Sequence, residues 1–189
     1  MKKTAALLIF IIISIVRANN SFAQLPVEIR SGLIYINDGT IGKPYPNKYS
    51  DLTASLDKAL KLHPNDTTCL YLRAVLYLRL NKITVNPDLG NKIAFGNLVI
   101  AKNLAEKAIN LKMENLYLKV LRAELYKELT NRFMADQAWK FTEHQIAERK
   151  SQFDNYKAIT NKYYDELAVL DKQNAYDYQK LRVNAKYPL

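Results

Sequence analysis

The residues that could do chemistry are few and lie far apart along the chain. Only two histidines occur, His63 beside a proline and His144 within a charged stretch. Glu148 follows His144 by one helical turn, so the two side chains could both bind a metal, but no third ligand is evident. A charged, exposed helix face explains the pair better. The neighbouring acids Asp165 and Glu166 would point about 100° apart on a helix, so they are poorly placed to act on one atom together. We therefore expect no catalytic residues, no metal and no cofactor.

Other signatures of catalysis are absent from the sequence. There is neither a glycine-rich phosphate loop nor a nucleophile motif, which argues against an enzyme. Cys69 is the only cysteine, so no disulfide can form within the chain even in an oxidising compartment. Its place near the start of a predicted helix favours a buried small apolar residue. A disulfide between two chains is the alternative.

The N-terminus has the three parts of an export signal. Two lysines precede an apolar run at residues 5–16, and Ser21-Phe22-Ala23, with small residues on either side of Phe22, forms a cleavage site. Residues 1–23 are thus predicted to be a signal peptide, with Gln24 as the new N-terminus; cleavage after Ala18 is a second option. An uncleaved anchor is the other alternative, although a run of twelve residues is short for a bilayer. We expect an exported protein without a membrane span after cleavage, periplasmic or secreted if bacterial.

The charge of the chain is moderately positive. Its 28 basic and 18 acidic residues give +10, and loss of the signal peptide would leave 25 and 18, or +7. Basic and acidic residues are interspersed, which argues against a nucleic-acid partner. Anionic envelope polymers or acidic proteins remain possible partners.

The middle of the chain contains a duplication. The segments 52–80 and 101–129 align at a spacing of forty-nine residues, with Leu-Arg-Ala-x-Leu-Tyr in register at 72–77 and 121–126. Before them, the turn-forming residues of 24–49 indicate an irregular leader or a short hairpin. Apolar periodicity and helix-stop signals predict helices over about 50–62, 66–80, 97–112 and 115–130, with a long insertion at 81–95.

The last third, residues 131–189, is not a third copy. Apolar residues at three-and-four spacing predict one very long helix, or two that meet near Lys150-Ser151, followed by a short helix at about 172–183. Tyrosines recur through this segment. Most should pack inward, but if Tyr163 and Tyr164 point to different sides, one could contact a second copy, so a homodimer through residues 150–183 is an alternative.

The duplicated residues resemble the tetratricopeptide repeat, a helix-turn-helix unit in which small residues allow close helix packing. The resemblance covers about residues 51–147, with Met113 replacing an expected proline and Lys119 an expected apolar residue. It implies an all-α fold, a tetratricopeptide-like α-solenoid closed by long C-terminal capping helices; a generic helical bundle is the alternative. The matching positions are Leu56, Ala59, Pro64, Leu70, Ala74 and Tyr77, then Ala101, Ala105, Ala108, Ala123, Tyr126 and Trp139.

The resemblance also implies a concave groove that binds a protein or peptide partner. Val75 and Glu124 supply no donor for the family's clamp on a terminal carboxylate, so that specificity is not expected. Tyr71 and Tyr117 could instead be core residues. We expect a non-catalytic interaction module, with the dimerising structural bundle as the alternative. The groove positions are Thr68, Tyr71, Val75, Leu78, Tyr117, Val120, Glu124 and Lys127.

Overall fold

The computed structural model describes residues 25–37, 46–84 and 90–189. The predicted signal peptide at 1–23 lies outside these residues, as do Gln24 and parts of the predicted leader and insertion. Within the described residues the protein is all-α apart from one two-stranded sheet. Its elements are β1 (Val27–Arg30), β2 (Leu33–Ile36), α1 (Ser50–Leu62), α2 (Thr67–Thr84), α3 (Lys92–Asn110), α4 (Leu116–Arg132), α5 (Glu143–Leu170) and α6 (Ala175–Leu181).

Polar caps fix where four of the helices begin. The Asp66 carboxylate accepts the Cys69 N–H at the start of α2. The side chains of Asn91 and Asn115 cap α3 and α4 in the same way. Thr142 forms a reciprocal capping box with Gln145 at the start of α5. Each cap satisfies a backbone N–H that has no partner within its helix, which stabilises the helix by about 1 kcal/mol.

The connection between α2 and α3 is shorter than predicted. α2 continues to Thr84 and α3 begins at Lys92, whereas the sequence predicted a break across 81–95. Ala94 and Leu98 are buried, so the apolar face of α3 starts one turn before the predicted helix. The Asn81 side-chain Nδ2 donates to the Ala94 carbonyl at 2.7 Å and ties the two helices together.

The C-terminal third contains one long helix, which was one of the two predicted forms, but this helix begins only at Glu143. α5 is continuous from Glu143 to Leu170, so Lys150-Ser151 lies inside a helix. Before it, Phe133–Ala135 and Ala138–Lys140 form two 3₁₀ turns. The capping box at the start of α5 sets the boundary. The short final helix α6 lies within the predicted range.

Helices adjacent in sequence pack against each other from α1 to α6, and α2 also contacts α4. Ala101, Ala105 and Ala108 are fully buried on α3, and small side chains there permit a close approach of neighbouring helices. Phe133, Phe153 and Tyr187 form a second, smaller apolar cluster beside α5.

The leader contains a short hairpin, one of the two predicted forms. β1 and β2 pair antiparallel, from Val27 opposite Ile36 to Arg30 opposite Leu33. Ser31 and Gly32 make the two-residue turn with φ of 47° and 72°, which matches the right-handed twist of the strands. The hairpin packs on α4, and its turn reaches α6.

Candidate functional site in the groove between α2 and α4

The predicted groove residues share one side of α2 and α4, but most are buried. Thr68 and Tyr117 are exposed, the latter by 37%, and Lys127 is half-buried. The other five are buried: Tyr71, Val75, Leu78, Val120 and Glu124. Both Tyr71 and Tyr117 were candidates for the core; Tyr71 is a core residue, whereas Tyr117 is exposed.

The hairpin (residues 27–36) occupies part of this groove. Ile34 is fully buried, and its backbone N–H donates to Glu124 Oε2 at 2.9 Å. Arg79 Nη2 contacts both carboxylate oxygens of Glu124 at 2.9 and 2.8 Å. The Arg79 guanidinium also lies 5.0 Å from the centre of the Tyr35 ring. Glu124 therefore joins α4 to both α2 and the hairpin.

The Glu124 carboxylate has no solvent exposure, and its neighbours explain how the fold accommodates a buried negative charge. Removing a carboxylate from water is costly unless a cation and hydrogen bonds compensate. The Arg79 guanidinium supplies the charge, and the Ile34 N–H supplies a hydrogen bond. Glu124 thus accepts from the backbone of the protein's own extended hairpin, a role opposite to that of the donors in the carboxylate clamp.

Beyond the hairpin, the groove opens into a cleft of about 570 Å³, which we call the groove mouth. The Tyr71 hydroxyl is buried there and has no hydrogen-bond partner among the described residues. Its burial, with a smaller effect of nearby Tyr117, raises the pKa of Tyr71, so the hydroxyl stays protonated at neutral pH. The groove mouth is lined by Leu25, Pro26, Val27, Thr68, Tyr71, Leu72, Met113, Asn115 and Tyr117.

The Cys69 thiol is unsuited to nucleophilic catalysis. Cys69 is fully buried, and burial, followed by the charge and hydrogen bond of Asp66, raises the pKa of its thiol to about 11. A thiol with that pKa is almost entirely protonated at neutral pH and is a poor nucleophile. A buried thiol is also out of reach of a second chain, which favours the core role expected for Cys69.

The two histidines lie away from the groove mouth on exposed surfaces. His144 Nδ1 is 3.7 Å from Glu148 Oε1, and both side chains are largely exposed. His63 ends α1 and is also exposed. In the described parts of the chain, no three His, Cys, Asp or Glu side chains come together as a metal site would require.

The C-terminal tyrosines mostly pack inward. Tyr164, Tyr178 and Tyr187 are buried. Tyr163 is half-buried, with the Arg122 guanidinium 3.8 Å from its ring centre. Tyr176, in contrast, is 71% exposed.

Sequence reasoning missed the residues that close the groove, Arg79 and Ile34. Arg79 is one of many basic residues, and no local pattern marks it as the partner of Glu124. The alternation of Val27-Glu28-Ile29-Arg30 is a strand signal, but it does not say where the strand packs.

Comparison of the chain with protein-family models, with curated proteins and with solved structures gives no match. Within the ranges that the structure describes, no helix has the length and apolarity needed to cross a membrane.

Proposed function

We propose that this protein is an exported, non-catalytic interaction module that holds a protein or peptide segment at the groove mouth. One observation carries the proposal: the α2–α4 groove already holds an extended segment, its own hairpin, with the Ile34 N–H bound by Glu124. Side-chain recognition of an extended backbone is a common mode of peptide binding. The groove mouth continues this surface where the hairpin ends.

The helix order supports a tetratricopeptide-like arrangement. In the proposal, α2 and α4 are equivalent helices of consecutive units, which agrees with their contact and with α3 packing against both. The repeated Leu-Arg-Ala-x-Leu-Tyr block lies at the same place on each. α5 and α6 would then cap the array, since two copies alone bury too little apolar surface to be stable.

The groove mouth suits a partner that is apolar with a few polar atoms. Pro26 and Met113 provide apolar walls, and Tyr117 and Thr68 provide hydroxyls at the opening. Tyrosine combines a large contact area with few rotatable bonds, which limits the entropy lost on binding. The buried Tyr71 hydroxyl offers one further hydrogen bond to a segment that enters deeply.

A photo-crosslinking residue placed at Tyr117 tests the proposal in cells that produce the protein. We expect a protein or peptide adduct from position 117, identified by mass spectrometry, and loss of that adduct when Thr68→Arg narrows the opening. Tyr176, exposed on α6, provides the matched control position. Equal adducts from both positions, or an adduct insensitive to Thr68→Arg, would exclude the groove mouth as the binding site.

A second candidate, a structural bundle that dimerises through residues 150–183, is favoured by three exposed apolar side chains. Val169, Leu170 and Tyr176 are 67%, 58% and 71% exposed near the junction of α5 and α6. Burial of such side chains between two copies would be favourable. Sedimentation equilibrium decides it: a dimer that Val169→Asp converts to a monomer supports the bundle, and a monomer at high concentration excludes it.

A further inference from the structure

A second cleft, of about 450 Å³, lies between the N-terminus of α3, the C-terminus of α4 and the start of α5. We call it the basic cleft. None of its lining residues belongs to the groove mouth. They are Gly90, Lys92, Phe95, Arg132, Ala135, Asp136, Lys140, Phe141 and Arg149.

The lining carries a strong excess of positive charge. Among the nine described residues that line it, four are basic and Asp136 is the one acid. Asp136 is already engaged: Arg149 donates from Nε at 2.6 Å and from Nη2 at 2.7 Å, and the Tyr187 hydroxyl donates at 2.9 Å. Asp136 therefore compensates Arg149, and the exposed lysines of the lining give the cleft its positive charge.

Aromatic rings hold the wall of this cleft in place. The Arg149 guanidinium lies 4.9 Å from the centre of the Phe133 ring and 4.6 Å from that of Phe141. The N–H groups of the same guanidinium donate to Asp136, so the Arg149 side chain is held in place and forms one wall of the cleft. Phe95 and Phe141 add apolar surface to the lining.

The remaining basic groups surround the opening. Lys92 and Lys140 are exposed, whereas Arg132 is 6% exposed and lies deeper. Lys92 is also the first residue of the nineteen-residue helix α3, whose N-terminus carries partial positive charge and so adds to the potential of the lysines. Basic side chains and a helix N-terminus together favour a bound anion.

We propose that the basic cleft binds a small organic oxyanion, a phosphate or carboxylate borne on an apolar ring. The anionic group meets Lys92 and Lys140 in the field of Arg132, and the ring lies against Phe95 and Phe141. The cleft volume falls within the range of small-molecule sites, and its mixture of apolar walls with a few charged groups is typical of them. This function is independent of partner binding at the groove mouth.

Calorimetric titration of the purified protein with phenyl phosphate tests the proposal, with inorganic phosphate and benzyl alcohol as the two half-ligands. We expect phenyl phosphate to bind at least about tenfold tighter than either, because it uses both the charges and the rings. Trp139, the only tryptophan, is 79% exposed beside Lys140, whose ammonium lies 4.9 Å from the centre of its ring. Its fluorescence should change on binding.

Charge-removing variants locate the site. Lys92→Met and Lys140→Met should each weaken phenyl phosphate binding by about three- to tenfold, and the double variant by more. Lys180→Met is the matched control, since Lys180 is an exposed lysine that lies over Tyr176, an aromatic ring on α6. It should bind like the parent protein.

Three results would overturn the proposal. One is the absence of saturable phenyl phosphate binding, and another is equal weakening by Lys180→Met. The third is binding of inorganic polyphosphate, with the same dependence on Lys92 and Lys140, by a protein that does not bind phenyl phosphate. That last outcome would identify an anionic polymer as the ligand and remove the role of the ring.

Discussion

The groove and the basic cleft use charge in opposite ways. In the groove, the buried charge is the Glu124 carboxylate, and the protein itself supplies its partners, among them Arg79 and the Ile34 N–H. In the basic cleft, the one acid of the described lining, Asp136, is engaged by Arg149 and Tyr187, and exposed lysines remain at the opening. The charge buried in the groove is compensated within the protein, whereas two lysines of the described cleft lining, Lys92 and Lys140, are exposed.

This difference predicts that the charges of one region matter for folding and those of the other for binding. A charge buried with its partners makes the fold depend on that contact, because losing one partner leaves the other uncompensated. Exposed charges around an opening contribute little to folding, but they can attract a ligand of opposite sign. We therefore expect changes in the centre of the groove to affect mainly stability, and changes at the mouth of the cleft to affect mainly binding.

The largest effect should come from Glu124→Ala. It leaves the guanidinium of Arg79 without its carboxylate and the Ile34 N–H without its acceptor, so we expect a loss of about 3–5 kcal/mol in the free energy of unfolding. Urea denaturation followed by circular dichroism measures it. Glu124→Gln keeps an acceptor oxygen for Ile34 and should lose less. A cost below about 1 kcal/mol for the alanine variant would contradict a central role for this ion pair.

Asp136→Ala tests the equivalent contact in the basic cleft and should cost less, about 2 kcal/mol. Asp136 is buried, but the Arg149 side chain is 30% exposed, so water can hydrate the guanidinium after its carboxylate partner is removed. The same denaturation experiment compares the two variants directly. Tyr187→Phe, which removes one hydrogen bond to Asp136, is the milder control. If Asp136→Ala cost as much as Glu124→Ala, the contrast between the two regions would fail.

Local signals in the sequence predicted much of the helical framework. α1 covers the predicted range of 50–62, and Asp66 caps α2 where a helix start was expected. These features depend on residues close together in the chain, namely a cap, a proline turn and apolar periodicity. Such features are readable from a single sequence.

The start of α3 shows where local signals conflict. Gly90 and Gly96 are local signals for a connection, because glycine is unfavourable inside a helix by about 1 kcal/mol. The Asn91 cap and the burial of Ala94 outweigh that cost, and Gly96 lies within α3. Tertiary packing decided the boundary.

The state of the groove could not be predicted, because it depends on contacts between distant parts of the chain. Ile34 and Glu124 are ninety residues apart in sequence. The sequence predicted a possible hairpin and a groove, but neither pattern indicates that the hairpin packs into the groove. Whether Tyr71 and Val75 are accessible follows from that packing, and not from their positions on α2.

The smallest effects should come from the turn that seats the hairpin, where two neighbouring substitutions have opposite signs. Gly32 has φ of 72°, and a Cβ added there would lie 2.8 Å from Leu181 Cδ1. Gly32→Ala should therefore cost about 1–2 kcal/mol. Ser31 has φ of 47°, a conformation that asparagine adopts more readily, so Ser31→Asn should stabilise by about 0.5 kcal/mol.

The hydrogen-exchange rate of the Ile34 amide measures how each turn substitution affects the contact between the hairpin and the groove. Exchange should accelerate in Gly32→Ala and slow in Ser31→Asn, because the hairpin holds that amide against Glu124. Binding of phenyl phosphate should be unchanged in both variants, since the basic cleft shares no lining residue with the hairpin. If Gly32→Ala altered phenyl phosphate binding while the Ile34 amide stayed protected, the two regions would not be independent.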